Sequence, residues 1–303
     1  FLIKGSKAFD KDFERKFLRS VYCQVRFVER NLSKYSSANN HLIGEAMGLF
    51  TVGVLFPQLR GSERRLTLGR AILEKEIERQ VYSDGAGKEQ STHYHEFITE
   101  LYLIAVILAR KNGIHFSEGL NLRLENMCEF IMHMMDDNLR PLHIGDSDDG
   151  IGLKLNMLEP FSNSAFILNT AGVLFNSIGN HVPEDLSTAP FSRSLKIKKI
   201  FDFLDEKSLW LLGYEGYVRY SLLGQAHKNN SLDSRGFPEG GYYIIRHKGL
   251  SLHFDCGELG YLSLAGHGHA DSLSFTLSVN GRHIFVDPGT YLYHSDNKWR
   301  DYF

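Results

Sequence analysis

The chain has 303 residues, 43% apolar and 23% charged, with a formal net charge of −2. That is enough apolar material for a substantial core, and the charge balance gives no reason to expect nucleic acid as a partner. No stretch reaches about eighteen continuous apolar residues, so no membrane span is expected, and Cys23, Cys128 and Cys256 are too few and too scattered for a disulfide framework or a thiolate metal cluster.

Residues 1 to about 180 read as helices. Phe13, Phe17, Val21, Val25 and Val28 recur at helical spacing within Asp12 to Arg30. Asn39 is placed to cap a second helix running to Leu55, which Pro57 closes. Ser62 is the expected cap of a third, ending near Tyr82. Glu89 to Lys111 reads as a fourth, stopped at Asn112-Gly113, and Ser117 as the cap of a fifth that runs to Met135. The short connections predict antiparallel neighbours, and a succession of such hairpins suggests a ring more than a small bundle. After about residue 190 the period changes. Ser194 to Phe201, Gly241 to Lys248, Leu250 to Asp255, Ser272 to Val279 and His283 to Asp287 read as strands, with a hairpin turn at Asn280-Gly281. Between the halves, the polar patch His227 to Arg235 reads as a linker or rim loop. The coarse expectation is a helical domain followed by an antiparallel sheet, with the site between them.

Four segments concentrate chemistry. In SSANNHLIGEAMGLF, capping uses Asn39, leaving Asn40 and His41 for a ligand, with Glu45 one turn beyond His41. In EQSTHYHEF, helical geometry puts Gln90 and Tyr94 on one face while His93 and His95 diverge. That excludes a two-histidine zinc site, which needs i,i+4 spacing. A tyrosine buried with its hydroxyl satisfied is the plain alternative for Tyr94. PLHIGDSDDG carries Asp146, Asp148 and Asp149 between glycines. It lacks the spacing of a calcium-binding EF-hand and reads as an Asp-rich turn, whose Asp146 or Asp148 can position a base or a sugar hydroxyl. In GHGHADSLSF, His267 and His269 are two apart and on an extended strand would point the same way. The hairpin would bring Asp287 back toward them, so that one imidazole and the carboxylate share a metal while the other moves a proton.

Taken together, NNHLIGEAMGLF, EQSTHYHEF, GDSDDG, GYYIIR, GHGHADSLSF and IFVDPGTYLY resemble, in order along the chain, the heparinase II/III family of polysaccharide lyases. The resemblance implies an α+β multidomain fold. Its incomplete (α/α) toroid would occupy 1–185, a connecting region with the first strands 186–240, and the beginning of an antiparallel β-sandwich 241–303, with the chain cut from a longer protein at both ends. It implies cleavage of a uronate-containing acidic polysaccharide (glycosaminoglycan-like, capsular or alginate) by β-elimination, in the periplasm or at the cell surface. By resemblance Asn40 neutralises the uronate carboxylate, Tyr94 is the catalytic tyrosine and His267 assists or replaces it as base. His41, Gln90, His95, Asp146 and Asp148 are then candidates for substrate binding. His269 and Asp287 match two ligands of a zinc ion whose third ligand would lie beyond Phe303. No organic cofactor is expected.

The chemistry suits these residue types. Removing the C5 hydrogen of a uronate loads charge onto the adjacent carboxylate, and that charge must be met as it develops. An amide does so without adding negative charge, helped by His41 or His95 if protonated. Tyr94 can serve as base and acid from one face of the sugar, or as acid opposite His267, and the sequence leaves both open. Two other readings stand beside this one. One is a non-catalytic glycan-binding or surface-polysaccharide assembly protein on the same scaffold. The other is a glycoside hydrolase using the Asp146–Asp149 cluster as paired carboxylates.

Overall fold

The computed structural model describes residues 5–290 apart from 8, 137, 149, 158–161, 176–200, 202, 224–231 and 264, together with residue 298. Among the described residues the helices come first. α1 spans Lys11–Arg30 and starts where Asp10 accepts from Phe13 N at 2.8 Å. α2 spans Asn40–Leu55, capped by Asn39 as expected and closed ahead of Pro57. α3 spans Ser62–Gln80, but its cap is Gly61 with a left-handed φ; Ser62 is already helical and donates its hydroxyl to Phe56 O. α4 spans Thr92–Lys111 and α5 Glu118–His133, each entered through a serine cap, Ser91 and Ser117. α6 is Asn163–Phe175 and α7 is Glu206–Leu222.

One apolar cluster joins these helices. Ile43 and Phe50 of α2, Leu73 and Ile77 of α3, Tyr102 of α4, Leu124 of α5 and Phe166 of α6 are all fully buried in it. The α2–α3 pair approaches so closely that a Cβ on Gly69 would lie 2.6 Å from Ala46 O, a contact only glycine permits. α4 packs on α2, α5 and α6, and α6 on α7, so α4 runs through the middle of the helical half.

Five strands follow in simple antiparallel order: β1 Arg235–Phe237, β2 Tyr242–His247, β3 Leu250–Asp255, β4 Phe275–Val279 and β5 Arg282–Phe285. The β4–β5 turn is the expected Asn280-Gly281, with both residues at positive φ. The sheet turns Tyr242, Ile244, Ser251, His253, Asp255, Thr276 and Ser278 toward the helices, where they are buried. Phe237, Tyr242 and Ile244 close over Phe130 of α5 and Met134, the residue that caps its end. The opposite face carries Tyr243, Ile245, Leu250, Phe275 and Val279, all exposed.

One expectation changes here. The stretch 186–240 is not only connection and strand, since α7 occupies Glu206–Leu222, and its burial of Leu212 and Tyr220 against Val173 explains why a helix forms there. The strand expected at Ser194 to Phe201, the boundary at 185 and most of the His227 to Arg235 patch lie outside the described residues; the patch's last residue, Arg235, opens β1. No described helix is long and apolar enough to cross a membrane.

Candidate active site

The site is built where the start of α4 meets two loops. Ser91 caps α4 by accepting from Tyr94 N at 3.2 Å, and the same hydroxyl donates to Asp146 O at 2.6 Å. Thr92 ties in the strand-like segment before it. Its hydroxyl donates to Leu142 O at 2.7 Å and accepts from Ile144 N at 3.1 Å, while Thr92 N donates to Ile144 O. Gly145 makes the crossing. Its φ is +72°, and a Cβ there would lie 2.6 Å from Gln90 O and 2.7 Å from His267 O. Asp146 N then donates to His267 O at 2.9 Å, so the Asp-rich turn is pinned to α4 on one side and to the histidine loop on the other.

Asn40, Tyr94 and His267 come together there. The Tyr94 and His267 rings stack with centroids 3.7 Å apart, and Asn40 Nδ2 lies 3.5 Å from His267 Nε2. Asp146 addresses both histidines, receiving His267 Nδ1 at 3.3 Å through Oδ2 and His269 Nε2 at 3.0 Å through Oδ1. An ionised carboxylate only accepts, so Nδ1 of His267 carries a proton, and Nε2 faces the Asn40 amide. Asp148 does the same for the tyrosine, accepting from Tyr94 OH at 2.9 Å and pairing with His93 Nε2 at 2.9 Å. Hydrogen bonds from His267, working against partial burial, hold Asp146 below the usual carboxylate range. Asp148 is also held low: burial opposes ionisation, and the donors Gly150 N, Tyr94 OH and His93 outweigh it.

The histidines do not project from a strand, as their spacing suggested. Both lie in the β3–β4 loop, and His267 has a φ of 71°. A positive φ is uncommon for a residue with a Cβ, and here the exchange between the His267 carbonyl and Asp146 N holds it. Gln90 does not share a helix face with Tyr94. It precedes α4 with a φ of 55° and turns its buried side chain to the sheet, where Oε1 accepts from Tyr242 OH at 2.7 Å. His95 is buried in the helical core, donates from Nε2 to Met127 O at 3.2 Å and packs edge-on to Phe130; burial pulls its pKa down to about 4. It is neutral, and it supports α5 rather than a carboxylate ligand. His41 is exposed at the mouth of α2, and Glu45 binds Ser33 instead of His41. Asp146 and Asp148 hold the histidines and tyrosine. Neither is a proton-bearing acid of the kind a two-carboxylate hydrolase needs, and Asp149 lies outside the described residues.

Two residues were not singled out from sequence. Glu89 is buried and receives both Asn40 N, at 2.8 Å, and Asn40 Nδ2, at 2.7 Å. Burial raises its pKa, against the hydrogen bonds from Asn40 and the nearby His267. His93 was set aside as diverging from His95, yet it shares Asp148 with Tyr94. The available signal was the density of polar groups in Glu89 to Phe97, which does not say which of them turns inward. The proposed zinc pair fares differently. His269 is engaged with Asp146, and Asp287 accepts from Gly289 N at 2.7 Å. Among the described residues no three His, Cys, Asp or Glu side chains are grouped to hold a metal ion, and two ligands alone do not make a zinc site.

A helical half is joined to an antiparallel sheet, and an amide, a phenol and an imidazole meet at their junction. The family profile described as "Heparinase II/III N-terminus" matches residues 1–163, and that described as "Heparinase II/III-like, C-terminal" matches residues 229–303. The chain belongs to the heparinase II/III family. Its relatives include a protein named heparin-sulfate lyase from Bacteroides thetaiotaomicron, 28% identical over 282 residues that make up 89% of this chain and 36% of that protein. A heparin-sulfate lyase from Pedobacter heparinus is 29% identical over 148 residues, 48% of this chain and 22% of that protein. A crystal structure of heparinase III superposes with a TM-score of 0.65 at 22% identity, covering 98% of this chain and 42% of that one, and so shares the fold. The chain thus spans little more than a third of the length of the first of these relatives.

Proposed function

We propose that this chain carries the elimination chemistry of a glycosaminoglycan lyase that breaks a uronate-containing polysaccharide without water. One observation carries the reading: His267 Nε2 and Asn40 Nδ2 stand 3.5 Å apart. In a uronate the hydrogen to be removed and the carboxylate that receives its charge are both on C5, so base and charge acceptor must be neighbours. His267 Nε2 takes the C5 proton. The electron pair spreads onto the carboxylate, where the Asn40 amide donates to it. Tyr94, whose hydroxyl is a donor in its bond to Asp148, gives its proton to O4 as the C4–O4 bond breaks and the C4–C5 double bond forms. His267 ends with the C5 proton and Tyr94 without its own, and passage of a proton from His267 to Tyr94 resets the site.

The 3.7 Å stack also bears on stereochemistry, because a sugar ring does not fit between Tyr94 and His267. Base and acid then work from one side, as a syn elimination. In gluco- and manno-configured uronates H5 and O4 lie on the same face; in ido-, gulo- and galacto-configured ones they lie on opposite faces. The site therefore suits a gluco- or manno-uronate chain, and the relatives named heparin-sulfate lyase favour a gluco-configured glycosaminoglycan over alginate. His267 has 11% of its side chain exposed. The contact most readily opened is the long one to Asn40, which leaves the stack and the Asp146 bond in place. No step passes through a metal, and a zinc ion at His269 and Asp287 would serve to steady the loop once further ligands complete it. A periplasmic or cell-surface location accompanies the same reading.

The test is turnover by the complete protein on an unepimerised glucuronate–glucosamine polymer and on the same polymer after C5 epimerisation. Cleavage only at gluco sites is expected, with Tyr94→Phe inactive and correctly folded. Preferential cleavage at ido sites would reject the one-sided arrangement.

A further inference from the structure

Glu89 has no part in the steps above, yet both its carboxylate oxygens are committed to Asn40. Oε1 receives the backbone N–H at 2.8 Å and Oε2 the side-chain Nδ2 at 2.7 Å, and Oε2 lies 3.6 Å from His267 Nε2. The residue is 6% exposed. We propose that Glu89 is a positioning residue for the elimination: it fixes the Asn40 carboxamide so that its remaining N–H is directed at the place the uronate carboxylate must occupy. This rests on the lyase reading of the same site.

The reasoning starts from the symmetry of an amide. Turning the Asn40 carboxamide by half a turn exchanges Nδ2 for Oδ1 with little change in shape. In that orientation the oxygen faces the incoming carboxylate and repels the charge it should stabilise. Both Glu89 oxygens accept from Asn40, so the carboxylate holds Nδ2 toward itself and rejects Oδ1. Nδ2 carries two hydrogens. One is spent on Glu89. The other, fixed by the plane of the amide, is left for the side on which His267 Nε2 stands at 3.5 Å. The bond to Asn40 N adds a second point of attachment at the first residue of α2, where a helix leaves N–H groups unpaired and favours a negative partner. A cap needs one oxygen; the second is what selects the amide's orientation. Burial excludes the water that would otherwise compete for Nδ2, and the bonds from Asn40 offset the cost of burying the carboxylate.

The experiment is steady-state kinetics of the complete protein on heparan sulfate, following unsaturated uronate absorbance, for Glu89→Gln, Asn40→Ala and the double variant. Glu89→Gln keeps size and one acceptor but turns an NH2 toward Nδ2, favouring the reversed amide. A fall in kcat on the order of 100-fold is expected, with KM little changed, because misplacing a group that acts on the transition state has that effect. The double variant should be no slower than Asn40→Ala alone, since Glu89 acts through Asn40. Glu89→Asp keeps the charge but shortens the reach and carries the same expectation, so a folding defect in one variant leaves the other. Unchanged kcat in a folded Glu89→Gln, or losses that simply multiply in the double variant, would overturn the positioning role while leaving the lyase reading intact. Full turnover by Asn40→Ala would remove the lyase reading and this inference with it.

Discussion

Asp146 sets which nitrogen of His267 carries the proton it binds. With Nδ1–H committed to Oδ2 at 3.3 Å, Nε2 is the nitrogen turned to Asn40 and, in the proposed elimination, the base. Asp146→Asn would present an amide that can donate to Nδ1 and so favour the other tautomer, with the lone pair turned away from C5. A fall in kcat on the order of 10²- to 10⁴-fold is expected, as for other carboxylate-oriented imidazoles, with the melting temperature changed far less. Equal turnover by Asp146→Asn would show that the tautomer is set elsewhere. Asp148→Asn should weaken Tyr94 in the same sense but by less, because the stack on His267 still fixes the ring.

At the scale of elements, the start of α4 carries the site. Ser91 caps the helix and holds Asp146 O; Gly145 passes where no side chain fits. Ser91→Ala should cost about 1 kcal/mol of stability through the lost cap and lower activity more than a cap elsewhere, such as Ser117→Ala, measured by urea unfolding and turnover on the same samples. Comparable activity for the two variants would argue against the shared role. This region also marks how far sequence carries. Helical spacing and caps gave α1, α2 and α5 nearly to the residue, and the strand-like run Ser272 to Val279 with the Asn280-Gly281 turn gave the β4–β5 hairpin. The resemblance singled out Asn40, Tyr94 and His267, and they do meet. What stayed hidden is non-local. Helical spacing put Gln90 beside Tyr94, but the left-handed φ of Gln90 breaks the helix before it starts. Nothing in Glu89 announces that its partner is 49 residues away. His95 reads like any other titratable neighbour until α5 is seen packed over it.

At the scale of the molecule, helices and sheet meet through a polar seam with a pH dependence of known sign. Arg246 of β2 donates to His133 O at 3.1 Å and Met135 O at 2.6 Å, with His253 Nε2 against the same His133 carbonyl. Burial, and then the charge of Arg246, pull His133 and His253 down to about 4 from 6.5. The unfolded chain therefore binds protons in that interval that the folded one refuses, so each histidine's contribution to stability is lost as pH falls from about 6.5 to about 4. His253→Gln should flatten that loss by on the order of 1–3 kcal/mol relative to the parent, read from urea midpoints across the interval; an unchanged slope would contradict the assignment. A second fixed point is the fully buried Lys207–Glu100 pair, which also receives Gly152 N and Leu153 N and so ties α7 and the loop after the Asp-rich turn to α4. Lys207→Met should destabilise by about 3–5 kcal/mol, read from urea unfolding, by leaving the buried Glu100 charge without its cation.

The expectations for activity turn on whether the bond breaks by elimination. The most direct measurement is cleavage of heparan sulfate by the complete protein in oxygen-18 water, with the products analysed by mass spectrometry and ultraviolet absorbance. Elimination by Asn40, Tyr94 and His267 gives an unsaturated uronate at each new non-reducing end and no heavy oxygen incorporated in the cleavage step. Products carrying one heavy oxygen per cut and no unsaturated uronate would mean hydrolysis, and would contradict the mechanism built on these three residues.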